Sequence, residues 1–494
     1  MTLGDKLPSG WAWAPLGDLL TGIDSGKSFK CEERPPLANE VGVVKVSAVS
    51  WGEYRERESK TCVDSHRVEP AYFIRPGDFL VSRANTIELV GAAVIVRRVT
   101  QPVMLSDKIL RLHFAEDALK PWVLQYLRSA AGRQQIEQLA SGNQESMRNI
   151  GQDRLKQIQI PLPPNLQRIT ISSKLDELVS DLAAAEVELS AAHRKLAIYR
   201  QALLKSAVEG ALTAEWRNRN PTPESADQLL ARIVGTRGRA RALVEYPQRP
   251  LPVAWAWATI GELTLRQRYG TSAKTTSVVD GVPVLRMGNI QDGCLDFKNL
   301  KFLPLDHSEF PELFAMDGEL LFNRTNSPEL VGKCAVYRKQ SRECSFASYL
   351  IGVQFVEGCV PEFVSAYINS SFGRDWVASV VSQQVGQANV NGSKLAALAI
   401  PVPPLDEQKE IVRVLGGQLA EAQLHSESIE RALRLVQAQR QNILRAAFSG
   451  RLVPQDPNDE PASVMLERIH ASKSAAAPAN TKTKSRGRVK AATA

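Results

Sequence analysis

The stretch LPSGWAWAPLG at residues 7–17 returns as LPVAWAWATIG at residues 251–261. A second pair follows in the same order, because GDFLVSRANTIELVG at residues 77–91 matches GELLFNRTNSPELVG at residues 318–332. These repeats lie much further apart than the roughly 20–50 residues that separate units of solenoids and propellers. The sequence therefore predicts a duplicated set of domains, each holding its own core.

The composition is that of an ordinary soluble protein of several domains. The chain has 494 residues, of which 44% are hydrophobic and 23% charged. Its longest apolar runs, such as Val90 to Val96, are too short to cross a bilayer. The first residues lack a basic stretch followed by an apolar core, and the six cysteines include no C-x-x-C. We expect no membrane segment, no zinc site and a cytoplasmic location.

The net charge of +8 is concentrated at the carboxyl terminus, where residues 471–494 contain six Lys and Arg and no acid. This Ala/Lys/Thr-rich tail is predicted to be disordered. If the folded part binds nucleic acid, it must use local basic patches, since the body is nearly neutral.

Each copy begins with short alternating strands and continues with a helical stretch, which indicates an α+β domain. Predicted strands of the first copy are residues 41–49, 78–83, 91–98 and 108–114, and the helical stretch is 121–140. Corresponding segments of the second copy are residues 282–290, 319–324, 332–338 and 350–356, and the helical stretch is 361–381.

A long heptad helix follows each domain, after IPLPP at residues 160–164 and IPVPP at residues 400–404. Its leading seam positions are Leu175, Leu182, Leu189, Leu196 and Leu203 in the first copy, and Leu415, Ala422, Ile429, Val436 and Ile443 in the second. The second seam positions of the first copy are Leu178, Ala185, Ala192, Tyr199 and Ser206. Neither helix can bury its stripe alone, so the two are predicted to pair as an antiparallel coiled coil with a pseudo-twofold axis.

No catalytic constellation is evident in the sequence. The segment Gly22–Ser28 resembles a phosphate-binding loop, but it has one residue too few between its glycines, and the second copy lacks the lysine. A surface turn is the better interpretation. The scattered histidines assemble no nucleophile with a base. We expect a protein without catalytic activity and without a cofactor.

The repeated Arg-x-Asn-x-x-Glu-Leu-Val-Gly run suits two roles. Arg and Asn make paired hydrogen bonds to guanine and adenine in the major groove, which makes Arg83, Asn85, Arg324 and Asn326 candidate DNA contacts. Identical residues in both copies suit a structural turn at least as well, in which Glu88 and Glu329 pair with the arginines.

Residues that discriminate DNA sequence should differ between the copies. The further candidates are Lys27, Lys30, Gln144 and Arg148 in the first copy, and Arg266, Arg268, Lys274 and Gln387 in the second.

Two α+β domains alternating with two long helices resemble the specificity subunit of type I restriction-modification systems. The resemblance rests on the two I-P-x-P-P helix starts, the G-D/E-x-L-x-x-R-x-N-x-x-E-L-V-G runs, and the helix ends near Gly210 and Gly450. It implies target-recognition domains at residues 1–160 and 251–400, conserved helical spacers at 161–216 and 401–453, a connector with a short helix at 217–250, and a short helix and basic tail at 454–494.

The resemblance also implies partners and a function. Each domain would read one half of a bipartite double-stranded DNA target, while the helices set the gap and dock two methyltransferase subunits, to which restriction-translocase subunits can be added. Two alternatives remain: a coiled-coil scaffold that joins protein partners without reading DNA, and a nucleotide hydrolase that rests only on the Gly22 segment.

Overall fold

A computed structural model describes residues 6–144, 147–237, 246–277, 279–327, 330–340, 342–384 and 387–476. The predicted disordered tail after residue 476, part of the connector and Glu329 lie outside these ranges. The chain divides into two compact units. Unit 1 comprises residues 1–188 and 432–494, and unit 2 comprises residues 189–431.

Unit 1 is a mixed α+β body with three small sheets and a strand pair. Its strands are β1 (Ala12–Pro15), β2 (Leu20–Ser25), β3 (Cys31–Glu32), β4 (Gly42–Val44), β5 (Ser59–Cys62), β6 (Phe79–Ser82), β7 (Ala84–Asn85), β8 (Ala93–Ile95), β9 (Val103–Met104), β10 (Ile109–Phe114), β11 (Ser141–Gln144), β12 (Met147–Asn149) and β13 (Gln159–Leu162). Its helices are α1 (Ser47–Ser50), α2 (Lys120–Arg128), α3 (Ala130–Leu139) and α4 (Gln152–Leu155), followed by the first part of the long helix α5 (Asn165–Val208).

Unit 2 contains the rest of α5, then α6 (Ala214–Arg219) and α7 (Ala226–Arg237). Its strands are β14 (Ala256–Thr259), β15 (Thr264–Tyr269), β16 (Val282–Leu285), β17 (Ile290–Gln291), β18 (Cys294–Leu295), β19 (Lys301–Leu303), β20 (Leu320–Asn323), β21 (Thr325–Asn326), β22 (Cys334–Val336), β23 (Ser345–Phe346), β24 (Leu350–Phe355), β25 (Ser382–Gln384), β26 (Gln387–Asn389) and β27 (Ala399–Val402). Its further helices are α8 (Ile260–Leu263), α9 (Pro361–Asn369), α10 (Ser371–Val380), α11 (Gly392–Ala397) and the first part of the long helix α12 (Leu405–Phe448), whose end belongs to unit 1 together with α13 (Ala462–Ala476).

The two units share one topology. The central sheet has the order β2-β10-β6-β8 in unit 1 and β15-β24-β20-β22 in unit 2, and all neighbours are antiparallel. The strand of the I-P-x-P-P segment pairs with the first strand of its own domain, as β1-β13 and β14-β27. This pairing brings both ends of each domain together. No helix in the described part of the chain is long and apolar enough to cross a membrane.

Two predicted segments differ from the structure. Residues 41–49 form only the short strand β4, and the polar Ser47 begins the helical turn α1 instead. The helical stretch 121–140 is broken at Ser129, whose extended backbone separates α2 from α3 and whose hydroxyl accepts a hydrogen bond from Gly132 N. Ser370 separates α9 from α10 in the same way.

The long helices start where the sequence predicts and contact each other within each unit. In unit 1, Ile171 and Leu175 of α5 share the core with Leu444 and Ala447 of α12. In unit 2, the end of α5 lies against the start of α12 in the same core that contains Leu203 and Leu415. The leading seam positions of α5 are buried or half-buried, but Ala185, Ala192 and Tyr199 in the second position are exposed. The apolar seam is therefore narrower than predicted, because the facing positions Gln418 and His425 of α12 are polar.

A buried tryptophan fastens each domain to the first turn of a long helix. The Trp11 indole donates to Gln167 Oε1 at 2.9 Å, and the Trp255 indole donates to Glu407 Oε2 at 2.9 Å. Gln167 stands where the second copy has Glu407, and both first turns are formed. Glu407, 3% exposed, also accepts hydrogen bonds from Thr213 at 2.8 Å and from Arg217 Nε at 2.9 Å.

Replacing Glu407 by Ala is expected to lower the free energy of unfolding of unit 2 by about 3–5 kcal/mol, because it leaves the buried Arg217 charge and the Trp255 indole without an acceptor. Glu407→Gln, which copies the unit 1 residue, should cost less. Urea denaturation measures the effect. Glu421→Ala, at an exposed position of the same helix, is the control, and equal losses in Glu407→Ala and Glu421→Ala would contradict this role.

Candidate nucleic-acid interface

The Arg-x-Asn run lies at one end of the central sheet in each unit. Arg83 follows β6, and its backbone N–H donates to Lys108 O at 2.9 Å, just before β10 begins. Arg324 follows β20 and donates in the same way to Tyr349 O at 3.0 Å. Lys27 leaves β2 at this end as well, because Ser25 pairs with Leu110 and a bridge joins Lys27 to Ser106.

The late Gln/Asn loops form hairpins that join the same end of the sheet. In unit 1, β12 pairs with β7 so that Arg148 lies opposite Asn85. In unit 2, β26 pairs with β21, and Asn389 Nδ2 donates to Thr325 Oγ1 at 3.1 Å. Two segments that the sequence treated separately are therefore neighbours. We call this region the strand-end surface: Arg83, Asn85, Lys108 and Arg148 in unit 1, and Tyr269, Arg324, Asn326 and Tyr349 in unit 2.

The two asparagines of the motif shape the turn. Asn85 Oδ1 accepts from Thr86 N at 2.9 Å, and its Nδ2 donates to Ser50 Oγ at 3.1 Å. Asn326 Oδ1 accepts from Ser327 N at 2.8 Å. These bonds favour the structural alternative for Asn85 and Asn326.

The motif glutamate has a different neighbour from the one expected. Its own backbone N–H, the Thr86 side chain and the charge of Arg133 lower the pKa of Glu88. Arg133 on α3 also donates to Val90 O at 2.6 Å and Ile87 O at 3.0 Å, and Arg374 on α10 donates to Val331 O at 2.6 Å. An arginine from the following helix, rather than the motif arginine, therefore fastens this loop.

The motif arginines are half-buried and face different surroundings. The guanidinium of Arg324 lies over the Tyr269 ring, 4.9 Å from its centroid, and its buried Nε has no hydrogen-bond partner. Arg148 Nη1 donates to Gly142 O at 2.6 Å, which braces the unit 1 hairpin. Gln144 and Gln387 lie on β11 and β26, but their side chains are outside what the structure describes.

Arg268 does not fit a DNA contact. Its side chain is 9% exposed and makes a two-pronged ion pair with the fully buried Glu319, at 2.8 Å from Nε and 2.6 Å from Nη2. A guanidinium whose donors are used inside the protein cannot also bind a base, so this prediction was wrong.

The first copy solves the same packing problem with the charges exchanged. Arg111, opposite Asp24 on the neighbouring strand, bonds to Asp24 Oδ2 at 2.6 Å and to Asp78 Oδ2 at 3.3 Å. Burial would raise the pKa of Asp24, but hydrogen bonds from His113 and Arg111 outweigh it and hold the pKa below its usual value. In unit 2 the position of Arg111 is Gly352, where a Cβ would lie 2.4 Å from Glu319 Oε1.

The remaining candidates are at the surface. Lys30, Arg266 and Lys274 are exposed. Lys27 is half-exposed and forms an ion pair with Glu69 at 2.7 Å, which raises the pKa of Lys27. Arg266 lies opposite Gln354, some residues away from the strand end.

Sequence reasoning missed four exposed residues near the strand-end surface. Lys108 and Tyr349 occupy equivalent places before β10 and β24, and Tyr349 is 48% exposed. Trp51 follows Ser50, the partner of Asn85, and Met147 precedes Arg148. Only the strand register reveals them, since nothing in the local sequence separates them from ordinary surface residues.

Two further expectations need correction. Residues 20–25 of the loop that resembled a phosphate-binding motif form strand β2 rather than a surface turn, and a Cβ at Gly26 would meet Leu105 O at 2.1 Å. Such a closed backbone leaves no cradle for a phosphate. Among the described residues, no group of three His, Cys, Asp or Glu side chains is arranged to hold a metal ion.

Comparison with known proteins gives consistent findings. The profile of a family described as type I restriction modification DNA specificity domain matches residues 253–431. The chain is 25% identical to the type I restriction enzyme EcoKI specificity subunit of Escherichia coli K12, over 95% of this chain and 97% of that protein. It is 23% identical to the StySPI specificity subunit of Salmonella potsdam, over 94% and 96% of the two chains.

A solved structure has a similar fold. Its title concerns complex assembly and conformational transition of the type I R-M system, and the similarity covers 91% of this chain and 100% of that chain, with a TM-score of 0.62 at 18% identity. At that identity the likeness concerns the fold alone.

Replacing Arg268 by Ala is expected to lower the free energy of unfolding by about 3–5 kcal/mol, because it leaves Glu319 charged and buried without a partner. Arg266→Ala, at an exposed position of the same strand, should leave the free energy of unfolding nearly unchanged. Urea denaturation of both variants checks the assignment, and a stable Arg268→Ala protein would return Arg268 to the list of candidate contacts.

Proposed function

We propose that this chain, which belongs to the family of type I restriction-modification specificity subunits, reads double-stranded DNA with its two globular domains and has no catalytic activity of its own. Each domain, at residues 1–160 and 251–400, takes one half of a bipartite target. The methyltransferase and endonuclease activities belong to partner subunits, which also carry any cofactor.

The observation that carries this proposal is the strand-end surface. The same backbone arrangement occurs in both units, but it presents Arg83, Lys108 and Arg148 in unit 1 and Arg324 with two exposed tyrosines in unit 2. Basic side chains beside a projecting hairpin suit the phosphates and base edges of a DNA groove. Different side chains on one frame suit two different half-sites.

The long helices set the distance between the half-sites by pairing as an antiparallel coiled coil. Two kinds of contact support this pairing: the shared apolar cores of each unit, and polar contacts in unit 2, where His193 Nε2 lies 3.2 Å from Ser426 Oγ and Arg200 donates to Gln423 Oε1 at 3.2 Å. Pseudo-twofold symmetry in a DNA-binding protein implies two half-sites at a fixed separation.

The same helices dock two methyltransferase subunits, to which restriction-translocase subunits can be added. Large apolar side chains are exposed on their outer surfaces, at Val187 and Leu435 in unit 1 and at Ile198 and Leu424 in unit 2. Their exposure supports a protein partner on each helix segment. We place the complex in the cytoplasm, where free cysteines remain reduced.

The DNA-reading role predicts that the two strand-end surfaces act on separate half-sites. Arg83→Ala and Lys108→Ala should weaken binding of a complex with the methyltransferase subunits by about 1–3 kcal/mol per base contact, or reduce its salt dependence where a phosphate is lost. Arg324→Ala should change only the other half. Selection from a randomised duplex library identifies the affected bases.

Exchange of residues 21–150 for the corresponding domain of a relative is the matched test, since it should replace one half-site and leave the other intact. A complex that enriches no sequence from the library, or binds without dependence on salt, would favour the scaffold alternative.

The spacing role predicts a defined change in the gap. Deleting residues 185–191 and 425–431 together removes one heptad from each helix and keeps the seam in phase, which shortens each helix by about 10 Å. The gap between half-sites should shrink by about three base pairs at 3.4 Å per pair. Mapping methylated bases measures it, and an unchanged gap would contradict this role of the helices.

A further inference from the structure

Each unit contains a cleft at the same place in its fold. The unit 1 cleft has a volume of about 570 Å³ and the unit 2 cleft about 550 Å³. Each is lined by one face of its long helices and by the helix pair that follows the central sheet. Equivalent residues recur in both: Arg440, Gln441, Leu444 and Arg133 in unit 1 stand where unit 2 has Arg200, Gln201, Leu204 and Arg374.

The charges of the unit 2 cleft are neutralised by the protein itself. Arg200 lies 3.6 Å from Asp292 and bonds to Gln423. Arg338 is paired with Glu362. The position on α9 that faces this cleft is the neutral Asn369, whose Nδ2 donates to Cys334 O at 2.9 Å.

The unit 1 cleft lacks this compensation. Arg128 takes the place of Asn369, and its guanidinium donates only to the backbone oxygens of Gly52 and Ala93. Within the described ranges, no carboxylate lies within 4.0 Å of Arg128 or Arg440, although Glu88 and Glu186 also line the cleft. Burial and the charges of Arg440 and Arg97 lower the pKa of Arg128 to about 10, so it stays protonated at neutral pH. Two like charges therefore share a partly dry cleft without a counter-ion.

We propose that the unit 1 cleft is a binding site for a small anion, a phosphate or a carboxylate, held between Arg128 and Arg440. The anion supplies the negative charge that Asp292 supplies in unit 2. A guanidinium has planar pairs of N–H donors that match phosphate and carboxylate oxygens, and such charge-assisted bonds strengthen as water is excluded.

The walls leave room for an organic body on that anion. Leu89, Leu127, Leu182, Val436 and Leu444 line the cleft beside the arginines. A volume of this size is typical of small-molecule sites, which combine apolar walls with a few polar groups. The expected ligand class is an acidic small molecule with an apolar part.

The test is calorimetric titration of the full chain with inorganic phosphate and with phenyl phosphate, at constant ionic strength set by NaCl. Both probes should bind, and phenyl phosphate should bind more tightly. Arg440→Gln should weaken both by about tenfold or more, because Arg440 has no protein partner whose loss would disturb the fold. Arg200→Gln, at the equivalent position of unit 2, is the matched control and should leave binding unchanged.

A second variant tests the charge argument without removing an arginine. Gln437 lines the cleft one helical turn before Arg440, so Gln437→Glu should provide an internal carboxylate and abolish phosphate binding in a protein that stays folded. The proposal is overturned if the unmodified chain binds neither probe at about 10 mM, an affinity below about 3 kcal/mol. It is also overturned if Arg440→Gln and Arg200→Gln behave alike, or if Gln437→Glu binds phosphate normally.

Discussion

The pairing of the first and last strand of each domain is the constraint on which the rest of the structure depends. In β1-β13 and β14-β27, the strand that leads into the long helix is held against the strand that opens the domain. The tryptophan indole then fixes the first helical turn through Gln167 or Glu407. Because the helix cannot swing at its origin, the position of the strand-end surface relative to its own helix is set by buried hydrogen bonds.

The exchanged ion pair shows how the two copies diverged without losing the frame. In unit 1 the arginine comes from β10 and the carboxylates from β2 and the start of β6, whereas in unit 2 the arginine comes from β15 and faces Gly352. A single change would leave a buried charge unpaired, at a cost of several kcal/mol. Such positions change together or not at all, so their divergence records packing rather than DNA specificity.

This explains how far sequence reasoning could go. Alternating apolar residues and the heptad repeat predicted the strands of the central sheet and both long helices, since periodicity reports burial directly. The breaks at Ser129 and Ser370 were missed because a serine inside an apolar pattern does not announce its backbone conformation. Arg268 was assigned to DNA because it differs between the copies, and sequence alone cannot distinguish a basic residue that faces solvent from one that faces Glu319.

The strand-end surface was only half-visible for a related reason. Arg83 and Arg324 lie in a recognisable motif, but Lys108 and Tyr349 belong to it only through a backbone hydrogen bond between strands that are distant in sequence. The motif itself is constant in both copies because Asn85 and Asn326 build the turn, whereas the residue across the sheet is lysine in one copy and tyrosine in the other. A specificity-determining position is therefore best sought opposite the conserved turn rather than within it.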